Sequence, residues 1–246
     1  MTPVDHDRLA TGGFQATLRH AVTVDVEQLR VQVYRTFAET GQPPSVEELA
    51  EVLGAETTEV RGGLRQLAQS RHLSLGADDA IVMAHPSSAV PLGFSVMSSD
   101  TLWWGGCAWD SFALPHLLGD QMRGAAQVLV ATTCPACNRP HAWNVDRSGP
   151  PEGEQVAHFL IPAAHMWDNV VHTCGHQRLF CSASCLEAWL ARTGNVRGYV
   201  LDLGALWRLA AHWYDDRLEY GYTRREPADA TDYMRAVGLS GSFWGL

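Results

Sequence analysis

The chain has 246 residues, of which 46% are hydrophobic and 18% charged, and its formal net charge is −9. This composition excludes a disordered chain and allows one large domain or two small ones. The acidic balance argues against a general nucleic-acid binder, which needs a basic face, and against attraction to an anionic membrane surface.

Residues 1–22 read as a polar, glycine-containing tail. Its first residues, Met1 to Asp7, carry no basic start followed by an apolar run, so no signal peptide is expected, and no apolar stretch of the chain is long enough to span a bilayer. The expected location is the cytoplasm, where thiols stay reduced. From Val24 to Thr40, Val26, Leu29, Val33 and Phe37 recur at three- and four-residue steps and predict a helix, stopped by Gly41-Gln42-Pro43-Pro44. Ser45 with Glu48 forms a capping box for a second helix, Val46 to Leu53. Thr57 or Thr58 opens a third, with Val60, Leu64 and Leu67 inward. Leu73 to Leu75 and Ala80 to Met83 then predict a hairpin around Gly76-Ala77-Asp78-Asp79.

Three helices and a hairpin over residues 23–84 are a winged-helix-like pattern. The second and third helices carry Glu47, Glu48, Glu51, Glu56 and Glu59 against Arg61 and Arg65. That acidic face repels phosphates, so a structural or substrate-covering role is expected rather than DNA reading.

Residues 84–94 read as a Pro/Ser/Gly-rich linker into a mixed α+β region, 85–217. Phe94 to Met97 and Leu102 to Trp104 predict strands. Ala108 to Leu118 predicts a helix ended by Gly119. Ala126 to Thr132, His141 to Val145, Val156 to Ile161 and Tyr199 to Leu201 predict further strands. Arg147 to Glu154 is a loop. Leu179-Phe180 leads into a helix from Ser182 to Arg192, and Leu203 to Arg217 predicts an amphipathic helix. The C-terminal extension, 218–246, has no assignable pattern. The fold class is therefore α+β, with an N-terminal winged-helix-like module before a mixed α+β catalytic domain.

Six cysteines in a reducing compartment point to metal or thiol chemistry rather than disulfides. A helix starting near Cys107 places its thiol and the Asp110 carboxylate on one face, and the helix N-terminus favours the thiolate. A thiolate is both nucleophile and soft-metal ligand, and a neighbouring carboxyl group moves protons. Such a pair alone also describes a buried cysteine beside a surface aspartate. The second segment is His172-Thr173-Cys174-Gly175-His176, where Gly175 offers a tight turn or close approach to a ligand. Two thiolates converging on one atom beside a carboxylate fit a soft two-coordinate metal such as mercury.

The run Trp103-Trp104-Gly105-Gly106-Cys107-Ala108-Trp109-Asp110 and its continuation through Pro115 to Gly119 resembles the active-site helix of the organomercurial (alkylmercury) lyase family. Cys174 to Phe180, followed by Glu187 and Trp189, resembles that family's second catalytic-cysteine segment. The resemblance covers roughly residues 25–215, with these two segments diagnostic. It implies cleavage of carbon–mercury bonds by protonolysis, with Cys107 and Cys174 binding the mercury of an organomercurial substrate and Asp110 passing a thiol proton to the leaving carbon. It also implies that no organic cofactor is needed and that low-molecular thiols or a mercuric reductase accept Hg2+.

The remaining cysteines, Cys134-x-x-Cys137 and Cys181-x3-Cys185, predict a structural four-thiolate Zn2+ site, although the gap between the pairs exceeds that of a simple finger. The resemblance implies a structural cysteine at Cys134; Cys137, Cys181 and Cys185 depart from the family pattern. His158, His165, His172 and His176 are further candidate ligands, but such histidines are more often surface or satisfied core residues. Competing readings are a non-catalytic thiol carrier or metal sensor, a metal-sensing regulator, and a relative recruited to another carbon–heteroatom cleavage.

Overall fold

The structure is a computed structural model and describes residues 24–119 and 128–246. The predicted tail 1–22, and the first two residues of the strand predicted from Ala126, lie outside the described residues.

Helices α1 (Val26–Thr40), α2 (Val46–Leu53) and α3 (Thr57–Gln69) open the described chain. Asp25 caps α1 by accepting from the backbone N–H groups of Glu27 and Gln28. Gly41 ends it at φ 73°, a left-handed conformation that costs glycine nothing. The Ser45–Glu48 capping box is present at α2. At α3 the cap is Glu56, paired with Glu59, one residue ahead of the threonines read as the start. Leu29, Val33 and Phe37 of α1 meet Leu49 of α2 and Val60, Leu64 and Leu67 of α3 in the core. Each such side chain, fully buried, contributes roughly 1.5–3 kcal/mol of hydrophobic stabilisation.

The strands that follow are β1 (Ser74–Leu75), β2 (Ile81–Ala84), β3 (Ser87–Ser88), β4 (Phe94–Met97) and β5 (Leu102–Gly105). After helix α4 (Ala108–Leu118) come β6 (Val128–Thr133) and β7 (Pro140–Val145). Together they form a seven-stranded antiparallel sheet in the order β1-β2-β3-β5-β4-β6-β7. The stretch read as a linker is thus part of the sheet. Ser87 and Ser88 bridge β2 to β5, and His85, Ser87 and Ser88 are buried. Proline and serine there mark close packing between short strands rather than solvation.

The second sheet, order β10-β8-β9, pairs β8 (Val156–Phe159) with β9 (Gln177–Phe180) and β10 (Tyr199–Asp202). Helix α5 (Val170–Gly175) precedes β9, α6 (Ala183–Thr193) follows it, and α7 (Leu203–Ala211) and α8 (Pro227–Ala236) come after β10. α5 is a short helix that the sequence pattern did not reveal. Gly175 is its last residue, without a positive φ, so it does not make the tight turn expected of it, and the space around it is open. α7 ends at Ala211 instead of running to Arg217. Past it the chain turns, with Asp216 at φ 61°, and the apolar spacing that resembled more helix aims Trp213, Tyr214 and Arg217 inward.

α4 is apolar nearly all round (AWDSFALPHLL), and such a helix is stable only when enclosed. It packs against α7, against β3 to β6 of the large sheet, and against β9 of the small one. The C-terminal extension contributes to this core: Met234, Leu239 and Trp244 are buried, and Trp244 packs against Trp109 of α4 at 6.2 Å between ring centroids.

Candidate active site

The N-terminus of α4 organises the site. Cys107 is the N-cap of that helix, in extended conformation, and its Sγ accepts from the Asp110 backbone N–H at 3.4 Å, the role a serine or aspartate commonly fills. This turn brings the Asp110 carboxylate back over the cap. The Cys107 thiol donates to Asp110 Oδ2 at 3.1 Å. Gly106 makes room for it: a Cβ there would lie 2.4 Å from Asp110 Oδ2 and 2.7 Å from the Met83 methyl group.

Cys174 arrives from α5, whose start is capped by Asn169. Its Sγ lies 3.8 Å from the same carboxylate oxygen. The two sulfurs therefore share one carboxylate. All three residues are almost wholly enclosed, Cys107 and Asp110 at 2% exposure and Cys174 at 4%.

The structure adds residues that sequence patterns did not single out. His85 Nε2 sits 3.5 Å from Cys174 Sγ and 4.0 Å from Asp110 Oδ2, and its ring packs edge-on against Trp167. Tyr214 donates its hydroxyl hydrogen to Asp110 Oδ1 at 2.6 Å, so both carboxylate oxygens have partners. Behind them Arg217 donates to the His85 carbonyl at 2.9 Å and to the hydroxyls of Tyr34 at 3.0 Å and Tyr222 at 2.9 Å, with its guanidinium over the Tyr214 ring. Arg30 of α1, itself fully buried and paired with Glu27, holds the backbone carbonyl of Arg217. The N-terminal helices thus reach the site through an arginine–tyrosine network. His85 fell in the apparent linker and Tyr214 in the apparent helix. The only local signal was a cluster of Tyr and Arg after α7, which has many ordinary explanations.

The electrostatics reverse one expectation. A thiolate was expected at Cys107 from its helix-terminal position. Burial pushes the Cys107 thiol well up, and the adjacent Cys174 and Asp110 charges add to it; the helix-terminal N–H of Asp110 only partly opposes them. Cys174 is the sulfur held below the ordinary thiol value, because the neighbouring Cys107 side chain and His85 together outweigh burial and the Asp110 charge. Burial alone would lower His85, but the Asp110 and Cys174 charges hold it above the ordinary histidine value. Of the two sulfurs beside this carboxyl group, Cys174 is therefore the one that ionises more readily and Cys107 the one that holds its proton more firmly.

The other sequence candidates lie elsewhere. Cys134, Cys137, Cys181 and Cys185 form a separate cluster, with all four sulfurs within 4.8 Å of one another. His158 is a core residue: its Nε2 accepts from Gly198 N–H at 2.9 Å and its ring packs on Phe180 and Trp189. His165 pairs with Asp168 in solvent, and the rings of His172 and His176 pack against each other at a tilt. Among the described residues, none of these four histidines belongs to a potential metal-holding group; His85 does, with Asp110 and Cys174. Trp103 is a core residue that donates to the Phe37 and Ala38 carbonyls, whereas Trp109, with the Trp213 ring tilted against it at 4.8 Å, directly precedes Asp110. A pocket of about 260 Å3 lined by His116, Arg147, Trp207 and Asp215 is at the opposite end of α4 and holds none of the site residues.

A family model described as alkylmercury lyase matches residues 88–215. A crystal structure of the mercury-bound form of MerB2 is 19% identical to this chain, covers 79% of it and 98% of its own length, and superposes with a TM-score of 0.59, a likeness of fold. In sequence, no curated protein matches the chain.

Proposed function

The chain belongs to the alkylmercury lyase family, and we propose that it is a carbon–mercury lyase that cleaves organomercurials by protonolysis with Cys107, Cys174 and Asp110. The observation that carries this reading is the sharing of one buried carboxylate by two thiols remote in sequence.

In this reading the Cys174 thiolate takes the mercury of R–Hg–X first, displacing X−. The Cys107 thiol gives its proton to Asp110 and binds the same mercury as the second thiolate. Soft sulfur donors push electron density through mercury onto the carbon, which hard oxygen ligands do poorly. Asp110 then delivers its proton to that carbon, the C–Hg bond breaks, and the products are R–H and Hg2+ held by two thiolates. Counted over all steps, R–Hg–X and two thiols give R–H, a mercury dithiolate and HX. Low-molecular thiols or a mercuric reductase then accept the Hg2+. No organic cofactor takes part.

His85 and Tyr214 are positioning residues in this scheme: His85 steadies the Cys174 thiolate and Tyr214 fixes the carboxylate through its other oxygen. Changing Tyr214 to Phe removes a hydrogen bond to a charged group, worth about 1.5 kcal/mol at the low end, so kcat is expected to fall about tenfold with mercury binding unchanged. A steady-state split of kcat from KM reads this directly; an unchanged kcat removes Tyr214 from the mechanism.

The N-terminal helices and the β1–β2 hairpin fit a winged-helix-like module in a structural role. Arg61 and Arg65, the cations of its α3 face, are both engaged by Asp79, which leaves little charge for phosphates. Among the described residues no helix is long and apolar enough to cross a membrane. Two reduced thiols at the working site fit a cytoplasmic protein.

A second reading, a thiol carrier or metal sensor, draws on the His85–Asp110–Cys174 cluster, which also has ligand geometry. Incubation of the full chain with methylmercury or phenylmercury and excess thiol separates the two. The lyase releases methane or benzene over many turnovers; a carrier binds mercury stoichiometrically and releases neither.

A further inference from the structure

We propose that Cys134, Cys137, Cys181 and Cys185 hold one structural Zn2+ ion, which clamps the small sheet to the large one and fixes the strand leading out of Cys174. The site is distinct from the mercury-binding thiols and does not depend on the lyase reading.

The fold builds this cluster from two separate turns. Cys134 directly follows β6 and Cys137 sits in the turn to β7. There the Asn138 N–H returns to the Cys134 carbonyl at 2.9 Å, Asn138 adopts φ 58°, and Cys134 N–H bonds the Arg139 carbonyl at 2.9 Å. This knuckle presents both sulfurs to one side. Cys181 ends β9, and Cys185 stands in the first turn of α6, held by the Ser182 cap. Arg192, near the end of α6, reaches back to the Ala136 and Pro135 carbonyls at 3.1 and 2.8 Å and locks the helix onto the knuckle.

The distances fit a tetrahedral ion. With Zn–S bonds of about 2.3 Å, sulfur–sulfur edges are about 3.8 Å. All four sulfurs here lie within 4.8 Å of one another, and Cys137 and Cys181 are 3.4 Å apart. A disulfide needs about 2.05 Å, and the cysteines are free. Four neutral thiols packed together would gain little; four thiolates would repel without a cation. His141 Nε2, 3.2 Å from Cys181 Sγ and with its ring stacked on Trp143, is placed to donate to that sulfur from outside the ligand set.

The clamp has a consequence for the other site. β9 joins α5, which carries Cys174, directly to Cys181. Anchoring Cys181 and Cys185 to the β6–β7 turn therefore fixes the C-terminal end of the segment that delivers Cys174 to α4.

The test is elemental analysis and native mass spectrometry of the full chain, purified under reducing conditions from zinc-supplied cells. About one zinc per chain is expected for a closed four-thiolate site. The Cys107→Ser/Cys174→Ser double variant and His141→Ala should keep it, and Cys137→Ser, which changes an exposed sulfur, should lose most of it. Co2+ exchanged into the parent protein should give the thiolate charge-transfer and intense visible bands of a tetrahedral sulfur site, even if Cys137→Ser is recovered unfolded. Removing zinc with a chelator should lower the melting temperature. Zinc-free parent protein, zinc lost with Cys107 and Cys174 or with His141, or disulfides within the cluster would each overturn the proposal. None of these readouts requires organomercurial turnover.

Discussion

Replacing Asp110 with asparagine is expected to leave mercury capture intact and to slow hydrocarbon release by about 10²–10⁴-fold, the range over which a positioned general acid contributes. Asparagine keeps the side-chain shape, so it still fits the space that Gly106 leaves and still accepts from Tyr214 at the atom facing that hydroxyl. It cannot take the Cys107 proton and return it to carbon. The measurement is a single-turnover experiment with phenylmercury, following bound mercury and benzene separately. Mercury should load at the parent stoichiometry while benzene lags. Benzene release at the parent rate would mean that the proton reaches carbon by another route, with the Cys107 thiol or His85 as the remaining donors within reach. Loss of mercury binding would instead make Asp110 a ligand rather than a proton carrier.

How far this site was legible in the sequence depends on the distance over which each contact acts. The Cys107–Asp110 pair is local. A helix start and a three-residue spacing imply that the side chains meet, and they do at 3.1 Å. The approach of Cys174 has no local code. No spacing rule places it across a carboxylate 64 positions away, and only a likeness to a known family pointed to it. His85 and Tyr214 had neither signal. A histidine between a short strand and a proline looks like loop, and a tyrosine at helical spacing after α7 looks like more helix. In both cases the long-range contact decides the conformation, through Arg217 on the His85 carbonyl and Asp110 on the Tyr214 hydroxyl.

The same distinction holds for the fold. The Gly41 stop of α1, the capping box of α2 and the range of α4 follow from residues a few positions apart and were read closely. The joining of β2, β3 and β5 into one sheet depends on pairs such as Ser87 with Gly105, and a run rich in Pro, Ser and Gly disguised it. The thiolate assignment was missed for a related reason. The helix terminus is a local effect and favours Cys107, while burial and neighbouring charges are tertiary effects and outweigh it. The acidic α2–α3 surface, by contrast, depends on residue type alone: Glu47, Glu48, Glu51 and Glu56 are exposed, and Asp79 engages both Arg61 and Arg65.

In the proposed mechanism that reversal sets the order of events, and the cysteine variants test it. Cys174→Ser is expected to lower kcat/KM by more than about 10³-fold, the scale on which loss of a nucleophile acts. Serine is nearly the same size, so the buried packing survives, but its hydroxyl is a hard, protonated donor that mercury ignores. Stoichiometric capture of methylmercury should be lost with it, because the remaining thiol at Cys107 is buried and donates to Asp110. Cys107→Ser should behave differently. Capture by Cys174 persists, whereas hydrocarbon release stops because neither the second sulfur nor its proton is available. The double variant should be no slower than Cys174→Ser, since the two sulfurs act on one mercury atom as a unit and their effects do not add. Mass spectrometry of the methylmercury adducts, read beside methane release, distinguishes these cases. Capture retained by Cys174→Ser and lost by Cys107→Ser would reverse the order and restore the helix-terminal sulfur as the first ligand.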